Sequence, residues 1–422
     1  MIGFEGVEVP ATGAWAALRV RDIRLYVIGL ALSLFGDSIF LVVAGIWVKD
    51  LTGSDGAAGM VNFCIWAPSL VGPLFALVAD RVPRRRLLVV VNLGAAVALL
   101  PLVLVDGAGL VWVVFAVMAV YGVVYALIGA AEPALMSTLI PEEHLGGYNS
   151  ARLTLSEGFK LLGPAAGAAL FALYGGPTVA VVDAVTFVAA AVALSLMAFR
   201  EPPLAPARES RGRELRAGID RIVGFLPLRR LVIGSAVVFG FGGLLTSYAY
   251  AVVEQGLGRP PEFVGVVVTA QGLGSVLGGL VAPSLMRRRG EVALVGTGML
   301  VAATGCLLTA SPPSLWLILL GAALRGFGLP WLLIGTTTLI QRTTPNELQG
   351  RTGSAAFTAS FIPSTLAIPV GAVLVEVVHY RVLFATAVVG MAAAAGYALR
   401  SRRDVLPRAG ETKPGEVEPM DP

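Results

Sequence analysis

The sequence predicts an all-α membrane protein of twelve transmembrane helices, arranged as two repeated halves of six. Three observations predict it. Apolar residues make up 56% of the 422-residue chain and charged residues only 14%, where a soluble domain carries about a quarter charged. The mean hydropathy is +0.81. Twelve apolar runs, each close to the ~20 residues that a bilayer-spanning helix needs, alternate with polar loops. Such runs must be helical, because lipid offers no partner to unpaired backbone groups.

The runs lie at about 25–48, 57–79, 87–105, 109–131, 152–174, 177–198, 230–253, 262–286, 292–310, 314–339, 353–376 and 381–399. Between the second and third sits Asp80-Arg81-Val82-Pro83-Arg84-Arg85-Arg86, four arginines and an acid that cannot lie in hydrocarbon. Further basic residues follow runs four, six, eight and ten: Arg152, Arg200 to Arg230, Arg287 to Arg289, and Arg342 to Arg351. The alternate loops hold little charge. By the positive-inside rule both termini are cytoplasmic. Trp47, Trp112 and Trp316 fall near the predicted outer interface, as aromatic belts do. The net charge of +4 therefore reflects orientation in a cell (plasma or inner) membrane and not nucleic-acid binding. Met1 to Arg24 lacks the short apolar core of a removable signal peptide. Cys64 and Cys306 lie inside apolar runs and read as small core residues.

The expected layout is a cytoplasmic segment 1–24, an N-terminal bundle 25–199, a linker 200–229, a C-terminal bundle 230–400 and a disordered polar tail 401–422. In the linker, Leu215, Ile219, Ile222, Val223 and Leu226 recur at helical spacing among charged residues, which predicts an amphipathic helix on the inner surface or a solvated linker helix. The halves echo each other. Ser137-Thr138-Leu139-Ile140 and Thr337-Thr338-Leu339-Ile340 each end a run, and each is followed by a turn with Pro and Glu. Internal repeats of this kind build many secondary transporters.

Asp80-Arg81-x-x-Arg84-Arg85 resembles the signature loop Gly-x-x-x-Asp-Arg-x-Gly-Arg-Arg of the major facilitator superfamily, with Ala76 and Pro83 at its glycine positions. Gly36-Asp37-Ser38, Leu51-Thr52-Gly53-Ser54, Leu162-Gly163-Pro164 and Asp183-Ala184-Val185-Thr186-Phe187 resemble its enterobactin-exporter and macrolide-efflux branch, over roughly residues 20 to 400. The resemblance implies two six-helix bundles around a central cavity exposed alternately to each side. It also implies a conformational latch in which Asp80 caps the start of the eleventh span near Gly353 and Arg84 or Arg85, beside Arg81, pairs with Glu132. The alternative is that these arginines serve topology alone.

Charges inside the runs carry the functional reading. Asp37 lies midway along the first run; a carboxylate at that depth faces a cavity or a partner, and it is the first candidate for proton coupling, against a neutral structural Asp. Arg325, midway along the tenth run, needs an acid, a carbonyl or an anionic substrate, and Asp37 is a candidate partner. Glu157 and Lys160, three apart, share a helical face and can pair, as a switching or a static pair. Asp183 reads as structural. Asn62, Trp66, Tyr121, Tyr125, Gln271, Trp331 and Phe357 are candidate walls of the substrate cavity. Gly163, Pro164 and Gly167 allow close helix packing and resemble an exporter motif. No lysine follows a glycine, which excludes a P-loop, and no metal or nucleophile constellation is present, so neither an enzyme nor a cofactor is expected. The expected function is proton-coupled efflux of a small organic molecule (a drug, siderophore or secondary metabolite) by a monomer. The alternatives are a metabolite or lipid importer of the same fold, and a non-transporting receptor or scaffold.

Overall fold

With no water to satisfy backbone groups, the chain closes its hydrogen bonds within helices. A computed structural model describes residues 21–140, 142–199, 201, 211–312 and 314–401, and no strand forms among them. The helices are α1 (Arg21–Thr52), α2 (Asp55–Trp66), α3 (Gly72–Arg81), α4 (Arg84–Leu99), α5 (Val111–Leu139), α6 (Glu142–Ser195), α7 (Arg211–Gly224), α8 (Leu226–Leu244), α9 (Tyr248–Ala251), α10 (Val264–Arg289), α11 (Glu291–Ala310), α12 (Leu315–Thr343), α13 (Asn346–Leu374) and α14 (Tyr380–Leu399). Among the described residues, ten helices are long and apolar enough to cross a membrane.

Two local features separate this count from the twelve apolar runs. The run at 57–79 is divided between α2 and α3 by a 3-10 turn, Ala67–Val71, that holds Pro68. Proline removes a donor and clashes with the preceding turn; the chain divides at Pro68, whereas α12 and α13 carry Pro330 and Pro363 within one helix each. The runs at 152–174 and 177–198 join into α6, whose backbone turns at Gly175 with φ 75 and ψ 173. Only glycine adopts that conformation without strain.

Helix contacts sort into two groups. In the first, α1 packs on α6 and α4 packs on α5 and α6; in the second, α11 packs on α12 and α14, and α8 on α13 and α14. The groups meet where α6 faces α10 and where α2 faces α13. Close approach here depends on glycine: a Cβ at Gly59 would stand 1.8 Å from Ser247 Oγ, and one at Gly265 would stand 2.7 Å from the Pro164 carbonyl.

The linker helix α7 docks on α13 instead of lying free. Gly218 sits against the Arg351 carbonyl, Ile222 is buried, and the Arg221 guanidinium donates to the Thr343 carbonyl. Ile219 and Val223 stay exposed; the Leu215 side chain lies outside the described residues. Trp112 and Trp316 are exposed, but Trp47 is buried against Gly176 and takes no part in a belt.

Candidate functional site

The main cavity lies between the two helix groups and has a volume of about 350 Å³. Its walls come from α1, α2, α8, α9, α10, α11, α12, α13 and α14, among them Leu41, Asn62, Phe239, Gln271, Arg325 and Met391. A second cavity of about 290 Å³ continues from it, sharing Leu41, Val42, Val268, Gln271 and Leu329 and adding Glu157 and Lys160. Those two form an ion pair at 2.8 Å, with the lysine exposed to the cavity mouth.

Of the seven residues expected at the cavity wall, Asn62 and Gln271 line it. Trp331 turns away, because its indole N–H finds the Gly278 carbonyl at 2.8 Å inside the packing of α10 and α12. Phe357 is exposed and stacks on Phe361 at 4.4 Å beside a separate small hollow. Trp66 is exposed outside the cavity. Sequence reading missed Thr246, Tyr250 and Ser364, which do line it; hydroxyl residues at helix spacing give no signal that separates a wall from a packing face.

Tyr121 and Tyr125 belong to a different site. The Tyr121 hydroxyl hydrogen-bonds the Asp37 carboxyl, and its oxygen lies 2.8 Å from Asp183 Oδ2. Tyr125 stacks on Tyr121 with ring centroids 5.6 Å apart and interacts electrostatically with Asp37. Asp183 Oδ1 is 3.2 Å from Thr186 Oγ1, whose hydroxyl is 2.7 Å from the Asp183 carbonyl. Asp37, Asp183 and Tyr121 are all buried. Gly36 lets α1 reach this cluster, since a Cβ there would stand 2.3 Å from both Asp183 Oδ1 and Thr186 Oγ1. Asp183, read from the sequence as structural, shares the Tyr121 hydroxyl of α5 with Asp37. Asp37 and Arg325 do not meet: Arg325 faces the cavity with its guanidinium 5.4 Å over the Phe384 ring.

The arginine-rich turn makes other contacts than those expected. Glu132 is taken by Arg152, at 2.5 and 3.0 Å, and by the Tyr148 hydroxyl at 3.0 Å. Arg85 instead donates to the last carbonyls of α6, Leu194 at 2.8 Å and Ser195 at 2.7 Å, and to Phe199 at 3.1 Å. A guanidinium suits these orphan acceptors and the negative end of the helix dipole. Glu201 accepts the backbone N–H groups of Arg84 and Arg85 at the start of α4, and Arg81 is exposed. The Asp80 side chain, and with it the docking expected near Gly353, lies outside the described residues. Arg152→Ala leaves Glu132, 3% exposed, as a buried charge without its cation, held by the Tyr148 hydroxyl beside Tyr26. We expect it to lower unfolding stability by about 1–3 kcal/mol, the cost of leaving a buried acceptor short of a partner, with Arg152 itself half exposed, measured by thermal unfolding in detergent; an unchanged melting temperature would show that the pair carries no load.

The opposite end of the molecule is clasped across the two groups. Lys49 Nζ donates to Gly53 O at 2.7 Å and pairs with Asp55 at 3.0 Å and with Glu254 at 2.5 Å. Glu376 accepts from Ser54 Oγ at 2.7 Å and from the Gly56 N–H at 3.3 Å. Burial pushes the Asp55 carboxyl above the usual carboxylate range, with Lys49 pulling against it. Gly163 and Gly167 pack α6 against Ser38 and Ile39 of α1, and the Pro164 carbonyl receives Gly265.

Long apolar helices around a cavity, with ion pairs joining the two groups at one end, form a membrane architecture of the kind that secondary transporters use. The Major Facilitator Superfamily profile matches residues 26–258 and 231–420, and the chain belongs to that family. It is 29% identical over 355 residues to the multidrug efflux pump Tap of Mycolicibacterium fortuitum, covering 79% of this chain and 85% of Tap. It is 25% identical over 337 residues to the uncharacterized MFS-type transporter YfiS of Bacillus subtilis strain 168, covering 77% and 79%. The staphyloferrin A transporter of Staphylococcus aureus is 22% identical over 275 residues, covering 61% of this chain and 68% of that one. In fold, the chain is similar to the nucleoside transporter NupG, with a TM-score of 0.71 at 12% identity over 90% of this chain and 98% of NupG.

Proposed function

We propose that the protein is a proton-coupled secondary transporter that exports a small organic molecule by alternating access. The observation that carries the coupling is a hydrogen count. Three oxygens, of Asp37, Tyr121 and Asp183, make two contacts in a row, and the Tyr121 hydroxyl brings only one hydrogen. With both carboxylates ionised the second contact would set two oxygens together with no hydrogen between them. A proton on Asp37 or Asp183 supplies it. The cluster is therefore a proton store, placed where α1, α5 and α6 pack, next to the wall residues Leu41 and Val42 of the same α1.

The reading takes the chain as twelve spans in two six-helix repeats, counting α2 and α3 as one broken span and α6 as two spans joined at Gly175. The bundles cover 25–199 and 230–400, with the segments 1–24, 200–229 and 401–422 on the cytoplasmic side. The arginine-rich loops then face the cytoplasm, and the Lys49 clasp closes the outer face. The working unit is a monomer in the cell membrane. Export is favoured by the likeness to Tap. The test is accumulation of a broad dye and drug panel in a strain lacking the protein, with and without a proton uncoupler. Higher accumulation in the deletion strain, erased by the uncoupler, is the expected result; equal accumulation of every probe sinks the export reading.

A further inference from the structure

We propose that the central cavity is a receptor for amphipathic organic anions, with Arg325 as the group that takes their carboxylate. The proposal rests on reading this cavity as the substrate site. An arginine at mid-membrane depth ordinarily pairs with an acid or with backbone carbonyls. Here each such partner is accounted for elsewhere. Asp37 is held by Tyr121 and Tyr125, and Glu157 is held by Lys160 at 2.8 Å. Among the described residues, no carbonyl or carboxylate oxygen accepts a hydrogen bond from Arg325, and its Nε is buried without a partner. What it does touch is apolar or neutral: the Phe384 face lies at 5.4 Å, and the guanidinium stem packs on Gly305.

The rest of the lining agrees. The polar groups around the main cavity are Asn62, Thr246, Tyr250, Gln271 and Ser364, all neutral, and the remaining walls are mostly aliphatic or aromatic. In the adjoining cavity Glu157 and Lys160 cancel. Among the described lining residues the summed charge is therefore that of Arg325 alone. A cation entering here meets a like charge with no counter-ion. A carboxylate meets a planar fork of donors that fits it bidentately. An apolar body on the same molecule fits the walls, and the neutral amides and hydroxyls orient it.

The test is equilibrium binding to the purified full-length protein in nanodiscs, at neutral pH and without any gradient. The probes are 2-naphthoate, its methyl ester, 2-naphthylmethylamine and carboxyfluorescein, read by equilibrium dialysis and by thermal shift. We expect the two acids to bind at least tenfold tighter than the ester, and the amine more weakly still. Arg325→Gln should bring the acids down to the level of the ester, and Arg325→Lys, a point charge without the fork, should fall between. Without probe, Arg325→Gln should melt at or above the parent temperature, since it removes an unpaired buried charge. Equal binding of acid and ester, strongest binding of the amine, an acid preference that survives Arg325→Gln, or a lower melting temperature for that variant would each overturn the proposal. Asp37→Asn should keep the acid preference, so that a failure of proton coupling is told apart from a failure of anion recognition.

Discussion

Asp37→Asn should abolish uphill transport while leaving the protein folded and able to exchange substrate down its gradient. Asparagine keeps the shape of the side chain and can still meet Tyr121 and Tyr125, because its amide offers both an acceptor and donors. What it removes is the exchangeable proton. In the native cluster the Tyr121 hydroxyl cannot serve both carboxyls alone; with an amide at position 37 the missing hydrogen is permanently present, and no proton needs to enter or leave. We expect substrate movement driven by a pH gradient in everted vesicles to fall to background, a loss of tenfold or more. Gradient-free counterflow should stay within about twofold of the parent. Asp183→Asn should act in the same direction, because either carboxyl can carry the shared proton. Full pH-driven transport by both variants would remove the cluster from the mechanism.

Gly59→Val should lock the clasped end open and stop transport by geometry alone. The glycine faces Ser247, and a single added carbon would stand 1.8 Å from its Oγ and 2.6 Å from its Cβ, closer than any non-bonded pair tolerates. Rotating Ser247 relieves the contact with the oxygen but not that with its own Cα, at 2.8 Å. Helix α2 must then stand off from the opposing group. In a background with Cys64 and Cys306 replaced by serine, a reporter at Leu41→Cys on the cavity wall should react with an impermeant maleimide from the outer side many times faster when Gly59→Val is present. Substrate efflux should be lost. Unchanged labelling would show that this end does not need Gly59 to close.

How far the sequence reached depends on the kind of information each feature needs. Depth in the membrane is written locally. The runs of apolar residues, the arginines at Arg81 to Arg86 and the mid-run positions of Asp37 and Arg325 could all be read from spacing. Azimuth is not written locally. A helix packed on several sides has no single polar face, so nothing in the run at 314–339 distinguishes Arg325, which faces the cavity, from Trp331, which faces α10. Pairings across distant helices are equally silent: Tyr121 reaches back 84 positions to Asp37 and forward 62 to Asp183. Glu132 found Arg152 and not the nearby arginine turn, because the start of α6 comes within reach of the end of α5. Breaks were legible only in part. Gly175 sits between the runs at 152–174 and 177–198, while Pro68, inside an apolar run, gave no sign from hydropathy that the helix would divide there.

The clasp at Lys49 has a consequence for the energy needed to run the cycle. Of the three acceptors on its ammonium, Gly53 and Asp55 lie beside it in the chain; only Glu254 lies across the divide, and that carboxylate is 56% exposed. When the halves part, Lys49 keeps two partners and water replaces the third. With Glu254 largely in water the ion pair is screened toward the surface range of about 0–1 kcal/mol, and the two hydrogen bonds that Glu376 accepts from Ser54 and Gly56 add about 1 kcal/mol each. One elementary charge crossing a potential of 100 mV releases about 2.3 kcal/mol. On the proton coupling proposed above, these contacts across the divide are of the same order as the energy that one proton brings.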